Sequence, residues 1–135
     1  MKTDVRALIQ TTLDDAFNAP ASPDPLRVFW LRRAEVEGED PDEYIVYTVD
    51  SDPYEDYADD EPFTRAARLT VRYYYRDSLI DTASGRAKVK RHEAAIESAL
   101  RAAQFALPSG YFDGGDIDDI GFGTTIFPVE YWEVL

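Results

Sequence analysis

Ala67–Arg76, ARLTVRYYYR, is the stretch on which the fold turns. Ala67, Leu69, Val71, Tyr73 and Tyr75 alternate with Arg68, Thr70, Arg72, Tyr74 and Arg76. That period of two predicts a strand with one apolar face and one cationic-polar face.

On its C-terminal side, Asp81–Gly85 breaks the alternation, Thr82 or Ser84 can serve as an N-cap, and the spacing then predicts a helix over 86–106. Val89, Ile96, Leu100, Ala103 and Leu107 make its buried stripe, with His92 or Glu93 at the edge. Lys88, Lys90, Arg91, Glu97 and Arg101 are expected in solvent, and Pro108, Ser109 and Gly110 end the helix. Residues 113–123 hold four glycines and four aspartates and read as turns. Thr125–Val134 (TIFPVEYWEV) reads as a closing strand, at an edge or bulged, because Pro128 has no N–H for a ladder.

On its N-terminal side, residues 50–62 (DSDPYEDYADDEP) read as the most highly charged loop, and residues 35–43 as a turn or loop. Tyr44–Val49 (YIVYTV) reads as a strand covered on both faces or placed at a subunit contact, and Leu26–Arg33 as a further strand. Val5, Leu8, Ile9, Leu13 and Phe17 form the stripe of a first helix. Thr3 is its expected N-cap with Asp4 in the first turn, and Asn18, Pro20, Pro23 and Pro25 stop it. The expected architecture is one α+β domain over residues 1–135, with an acidic loop at 50–62. It has a small, mostly antiparallel sheet of about four strands flanked by two main helices, in the order α-β-β-β-α-β.

The chain has 135 residues, a length that suits one domain and buries about 70 % of the unfolded surface. It carries 27 acidic and 14 basic residues, a net charge of −13, and the imbalance is local. Residues 35–61 hold thirteen acids and no base, residues 62–110 nine bases and four acids, and residues 111–135 six acids and no base. The absence of cysteine removes disulfides, thiolate nucleophiles and cysteine-ligated metal centres. MKTDVRALIQTTLDD puts acids where a secretory signal keeps an apolar core, and no stretch approaches the roughly 18 apolar residues that span a bilayer. These features predict a soluble, non-exported protein with no membrane partner.

Catalytic patterns are absent. The single histidine, His92, sits in KVKRHEAAIE and reads as a solvated or half-buried helix residue, and no serine has a nucleophile-elbow context. The carboxylates cluster in loops that stay hydrated, which suits a solvated face better than a glycosidase pair. Asp50, Asp52 and Glu55 start like a calcium loop but place Glu55 where glycine is needed; Asp116, Asp118, Asp119 and Gly121 lack the closing glutamate, since Phe127 stands there. The pairs Gly114-Gly115 and Gly121-Phe-Gly123 precede no helix or lysine that could cradle phosphate. The expectation is no enzyme, no cofactor and no metal. The net charge also disfavours specific nucleic-acid binding. Arg68, Arg72 and Arg76, with Tyr74 among them, are instead expected to donate to a protein interface, the acidic loop of another copy being the natural complement. Asp50, Asp52, Glu55, Asp56, Asp59, Asp60 and Glu61 are expected to form that flexible docking loop.

Laid end to end, VRALIQTTLDDAF, EYIVYTVDS, ARLTVRYYYRD, KVKRHEAAIESALRAAQF and DGGDIDDIGFGTTIFPVEYWEVL follow an order that resembles the tail completion or tail terminator proteins of long-tailed bacteriophages, also known as minor tail or tail-to-head joining proteins. The resemblance covers nearly the whole chain and rests on element order, size and the closing aromatic strand. It implies a small sheet flanked by helices, assembled as a hexameric ring at the head-proximal end of the tail tube. There the ring stops tube growth, meets the tail-tube protein and the head connector or neck protein, and lets DNA pass through its lumen. It implies location in the virion after assembly in the host cytoplasm. The long acidic insertion at residues 50–62 departs from that family.

Three features agree with a ring. Separate cationic and anionic patches permit head-to-tail contacts. Tyr44–Val49 and the closing strand carry more apolar surface than a lone sheet of this size needs. Acids facing a channel repel DNA phosphates. The competing expectation is an acidic DNA mimic or inhibitor that occupies the basic groove of a nucleic-acid-binding partner, supported by the charge and by PYEDYADDE.

Overall fold

The computed structural model describes residues 2–20, 22, 25–33, 41–58, 61–115, 117–118 and 120–135, without the side chains of 55–58 and 62. The elements are α1 (Val5–Phe17), β1 (Arg27–Trp30), β2 (Glu43–Ser51), β3 (Tyr54–Ala58), β4 (Glu61–Arg76), a 3₁₀ turn (Asp77–Asp81), α2 (Ala83–Ala102), β5 (Phe112–Asp113) and β6 (Phe122–Val134). The α+β class is as expected. Among the described residues, however, the sheet has six strands rather than about four, ordered β1-β2-β4-β6-β5, with β3 paired to β4 beyond the end of β2. One pair, β1–β2, is parallel. Both helices pack on one face of the sheet instead of flanking it: Val5, Ile9, Leu13 and Phe17 of α1 and Val89, Ile96 and Leu100 of α2 share one core with Ile45, Tyr47, Ala67, Leu69, Val71, Tyr73, Phe127 and Val129. Neither helix is long and apolar enough to cross a membrane.

The strand read from Ala67–Arg76 is the spine of this sheet, but it begins earlier, at Glu61. It pairs with β6 without a register shift from Thr64↔Val134 to Arg76↔Phe122. β6 lies inside the sheet, between β4 and β5, and pairs with β4 without a bulge, so the expected edge or bulge at Pro128, opposite Thr70, is not found; a gap in the pairing on the β5 side accommodates it instead. Two residues on, Glu130 exchanges both backbone hydrogen bonds with Ala106, and Thr124 accepts from Gly114, so the backbone groups of these positions point away from β4. The N–H that Pro128 lacks would point the same way, into the gap between those two contacts.

The described residues of 50–62 do not form the expected loop. From Glu43 to Val49, β2 runs opposite Tyr75 to Leu69; at Ser51 the register steps by one, so Asp50 is the extra residue of a β-bulge. The stepped register then continues through Pro53, whose carbonyl accepts from Ala66 N–H, into β3, where Tyr54 pairs with Arg65 and Ala58 with Glu61. β2, β3 and β4 thus form one long antiparallel hairpin whose far end is a two-stranded ribbon. Local composition argued for a loop, but ladder pairing with the N-terminal extension of β4 overrides it. Asp59 and Asp60 lie outside the described residues, as does most of 35–43, of which Glu43 belongs to β2.

The helix ends differ from expectation by a few residues, each for a visible reason. Asp4 caps α1, its carboxylate accepting from the N–H groups of Arg6 and Ala7, while Thr3 gives its own N–H and hydroxyl to Glu133. Thr82 caps α2 through Gly85 N–H. Gly85 touches the 3₁₀ turn so closely that a Cβ would stand 1.9 Å from the Leu79 carbonyl oxygen. At the other end α2 stops at Ala102, not at residue 106. Gln104 turns left-handed (φ 72°), Gln104 N–H bonds to Arg101 O, and Phe105 N–H reaches back to Leu100 O, which is a Schellman ending with Phe105 and Leu100 both buried. A non-glycine residue in that conformation is strained. Gln104→Gly is therefore expected to raise stability by about 0.5–1 kcal/mol, read as a higher urea midpoint with unchanged slope.

Candidate protein interface

The bulge at Asp50 decides what the hairpin can present. Before it, the even residues of β2 share a face with Arg68, Arg72 and Arg76; after it, the phase inverts, and Asp52 turns to the helix side, where Arg65 lies. Arg65 is 0 % exposed. Its Nε and Nη2 donate to Asp52 Oδ1 and Oδ2 (3.0 and 2.6 Å), and Nη1 to Glu133 Oε1 and the Thr3 carbonyl (3.0 and 2.9 Å). Lys2 Nζ stands 3.3 Å from Asp52, and the Tyr131 ring lies under the guanidinium. One side chain thereby ties the segment before α1, the hairpin and the end of β6 together. Burial opposes the charge of Asp52, but Arg65 and Lys2 outweigh it and hold its carboxyl below the usual range. Glu133 is lowered too: burial works against it, while Thr3 and Arg65 prevail. Asp52 thus serves as a strut within the chain.

His92 is also not where the sequence placed it. It is buried, with Nδ1 2.6 Å from Glu43 Oε1. Tyr73 donates to the same oxygen, and Lys88 Nζ is 3.1 Å from Oε2. Burial pushes Glu43 up, yet the hydrogen bonds of His92 and Tyr73, the His92 charge and Lys88 bring its pKa down to about 2. An ionised carboxylate only accepts, so Nδ1 carries the proton. Burial, reinforced by Glu43, pushes the Tyr73 phenol up. This acid–histidine pair touches no serine or threonine in the described hydrogen bonds. A cleft runs instead past Gln10, Asn18, Pro25, Arg27 and Phe29 and includes none of its members. It braces β2 and β4 against α2.

The opposite face of the sheet is where Arg68, Arg72, Arg76 and Tyr74 come together, as the alternation predicts. No helix covers it. Tyr44, Val46 and Phe122 form a small apolar cluster there with Phe29 and Tyr74, and the Tyr44 and Tyr74 rings stack at 4.9 Å. Burial, then Tyr74, pushes the Tyr44 phenol up. Trp132 and Val134 continue the face toward the ribbon and are 58 % and 64 % exposed. No protein-family model matches the chain, and no curated protein does. The meaning of this face rests on its own geometry.

The arginines differ in what they already hold. Arg68 is 3.5 Å from Glu130 across the β4–β6 pair and largely in solvent. Arg76 bonds Asp42 at 2.8 Å and lies over the Phe122 ring. Arg72, between Val46 and Ile126 in the register, has no hydrogen bond or ion pair to any described residue. Of the acids, Asp50 accepts from the Thr48 and Thr70 hydroxyls, so it too is engaged within the chain. Glu61 is exposed on the ribbon, and Glu55 and Asp56 belong to β3. Asp118 is held within its own turn, accepting from the N–H groups of Ile120 and Phe122.

The sequence missed Arg65, Glu43 and the burial of His92. A signal existed for each. Arg65 is in phase with Ala67, Leu69, Val71 and Tyr73, Glu43 with Ile45 and Tyr47, and His92 with Val89 and Ile96. A charge in the phase of a core stripe demands a partner of opposite charge.

Proposed function

We propose that this chain is a structural assembly protein that associates with copies of itself into a ring, caps the tail tube of a long-tailed bacteriophage and joins it to the head connector. The observation that carries the reading is the sheet face that no described helix covers, with its aromatic cluster and an Arg72 that has no partner among the described residues. Tyrosine, tryptophan and arginine gathered on one face, and a charge complement elsewhere on the same chain, are what a protein–protein contact uses. The resemblance in element order supplies the hexamer and the virion partners. No catalytic step belongs to this reading: the buried acid–histidine pair is a brace, and the acids of the hairpin repel passing DNA rather than bind it.

Light scattering over a range of concentration and salt, with and without the tail-tube protein from the same genome, tests it. The expected result is mass growth that salt weakens, in free solution or on the tube. A strict monomer under every condition that also ignores the tube protein contradicts it. The DNA-mimic reading gains one point, since β3 sets part of the acidic run on a paired ribbon, and loses another, since Asp50 and Asp52 are engaged internally. Recovery of nucleases or repressors rather than virion proteins in a pull-down would favour it.

A further inference from the structure

Both electrical poles of the chain lie along one hairpin. The described part of the ribbon, residues 55–58 and 61, carries three acids, Glu55, Asp56 and Glu61, and no base. Glu61 opens β4, and Arg72 sits eleven residues further along the same strand, about 36 Å at 3.3 Å per residue. Because a continuous strand holds them apart, the ribbon cannot fold back onto Arg72 of its own chain. The Asp52–Arg65–Glu133 bonds fix the base of the ribbon in that extended direction. Arg72 meanwhile offers a guanidinium with five donors and no described partner, among Val46, Ile126 and the Tyr44–Tyr74 stack.

Resting on the assembly reading above, we propose that the acidic ribbon of one copy docks on the Arg72 face of the next, so that copies join head to tail. Two chains at −13 repel each other on average, and a contact between them has to bring the local positive patch onto the acids. A second copy supplies those acids at a fixed distance from its own Arg72 face, leaving each docked copy with a free ribbon or a free face for another. Such a contact is heterologous: it closes into a ring when the rotation per copy divides a full turn and extends into a filament when it does not. The aromatic surroundings of Arg72 are the setting in which a desolvated arginine contributes most to binding.

Sedimentation velocity over a concentration series, at low and high salt, on the full chain and three variants tests the contact. Arg72→Glu and the ribbon variant Glu55→Lys/Glu61→Lys are each expected to weaken self-association by about tenfold or more, with the thermal melt of Arg72→Glu close to the parent because Arg72 has no described partner to lose. Combining all three substitutions restores most of the affinity. Parent-like association by Arg72→Glu overturns the docking but leaves the assembly reading standing. Two weakened variants without rescue in combination also overturn it, since the residues then act at separate contacts. A parent chain that stays monomeric at every concentration and on the tube overturns both.

Discussion

Asp52→Ala is expected to destabilise the fold by about 3–5 kcal/mol, and Arg65→Met by distinctly less. The asymmetry follows from where each charge sits. Arg65 has no solvent access, so removing Asp52 leaves Nε and Nη2 of a buried guanidinium without the acceptors they now have. An arginine cannot escape by deprotonating. The carboxylates keep some access, with side chains 25 % exposed for Asp52 and 16 % for Glu133, so water replaces part of what Arg65 gave them. Methionine meanwhile fills the volume without a charge. Urea titrations of the two variants check this, and equal losses, or a larger loss for Arg65→Met, contradict the clamp as described. Because Asp52 reaches Arg65 only through the phase inversion at Asp50, deleting the bulge residue is the same lesion made in the backbone.

Glu43→Gln is the second large effect, about 3 kcal/mol near neutral pH, and its pH dependence identifies the cause. Glu43 ionises at about 2 in the fold against an ordinary 4.5. A depressed carboxylate contributes stability that is fully present above its unfolded pKa and is lost as pH falls through the folded one. The gap between the parent and Glu43→Gln is therefore present near neutral pH and closes between 4.5 and 2. Asp52 and Glu133 titrate in both proteins and cancel in the difference. Denaturant titrations across that range read the gap directly; one that persists at pH 2 would mean that shape and hydrogen bonding, rather than the charge on Glu43, hold α2 to the sheet.

Much of the fold was legible because periodicity reports which side of an element is buried. The stripes of α1 and α2 and the alternation of β4 came through on that basis. What failed depended on pairing rather than pattern. Strand direction leaves no trace in alternation, so the parallel β1–β2 pair was invisible. β3 carries acids and lies between two prolines, and it is a strand because β4 extends past its readable segment to meet it. The Schellman ending uses Gln104 where glycine is the usual signal. The cationic face was legible down to its four residues, yet which arginine lacked a partner was not, because Glu130 and Asp42 reach Arg68 and Arg76 only once the strands are in register.

If copies grip one another through this face, Arg72 is covered in the assembly. Arginine-specific modification followed by mass spectrometry, on the dilute chain and on the assembled one, measures that cover. Protection of Arg72 on assembly, with the exposed Arg101 on the helix side reacting equally in both states, is the expected result. Equal reaction of Arg72 in dilute and assembled chain contradicts the account.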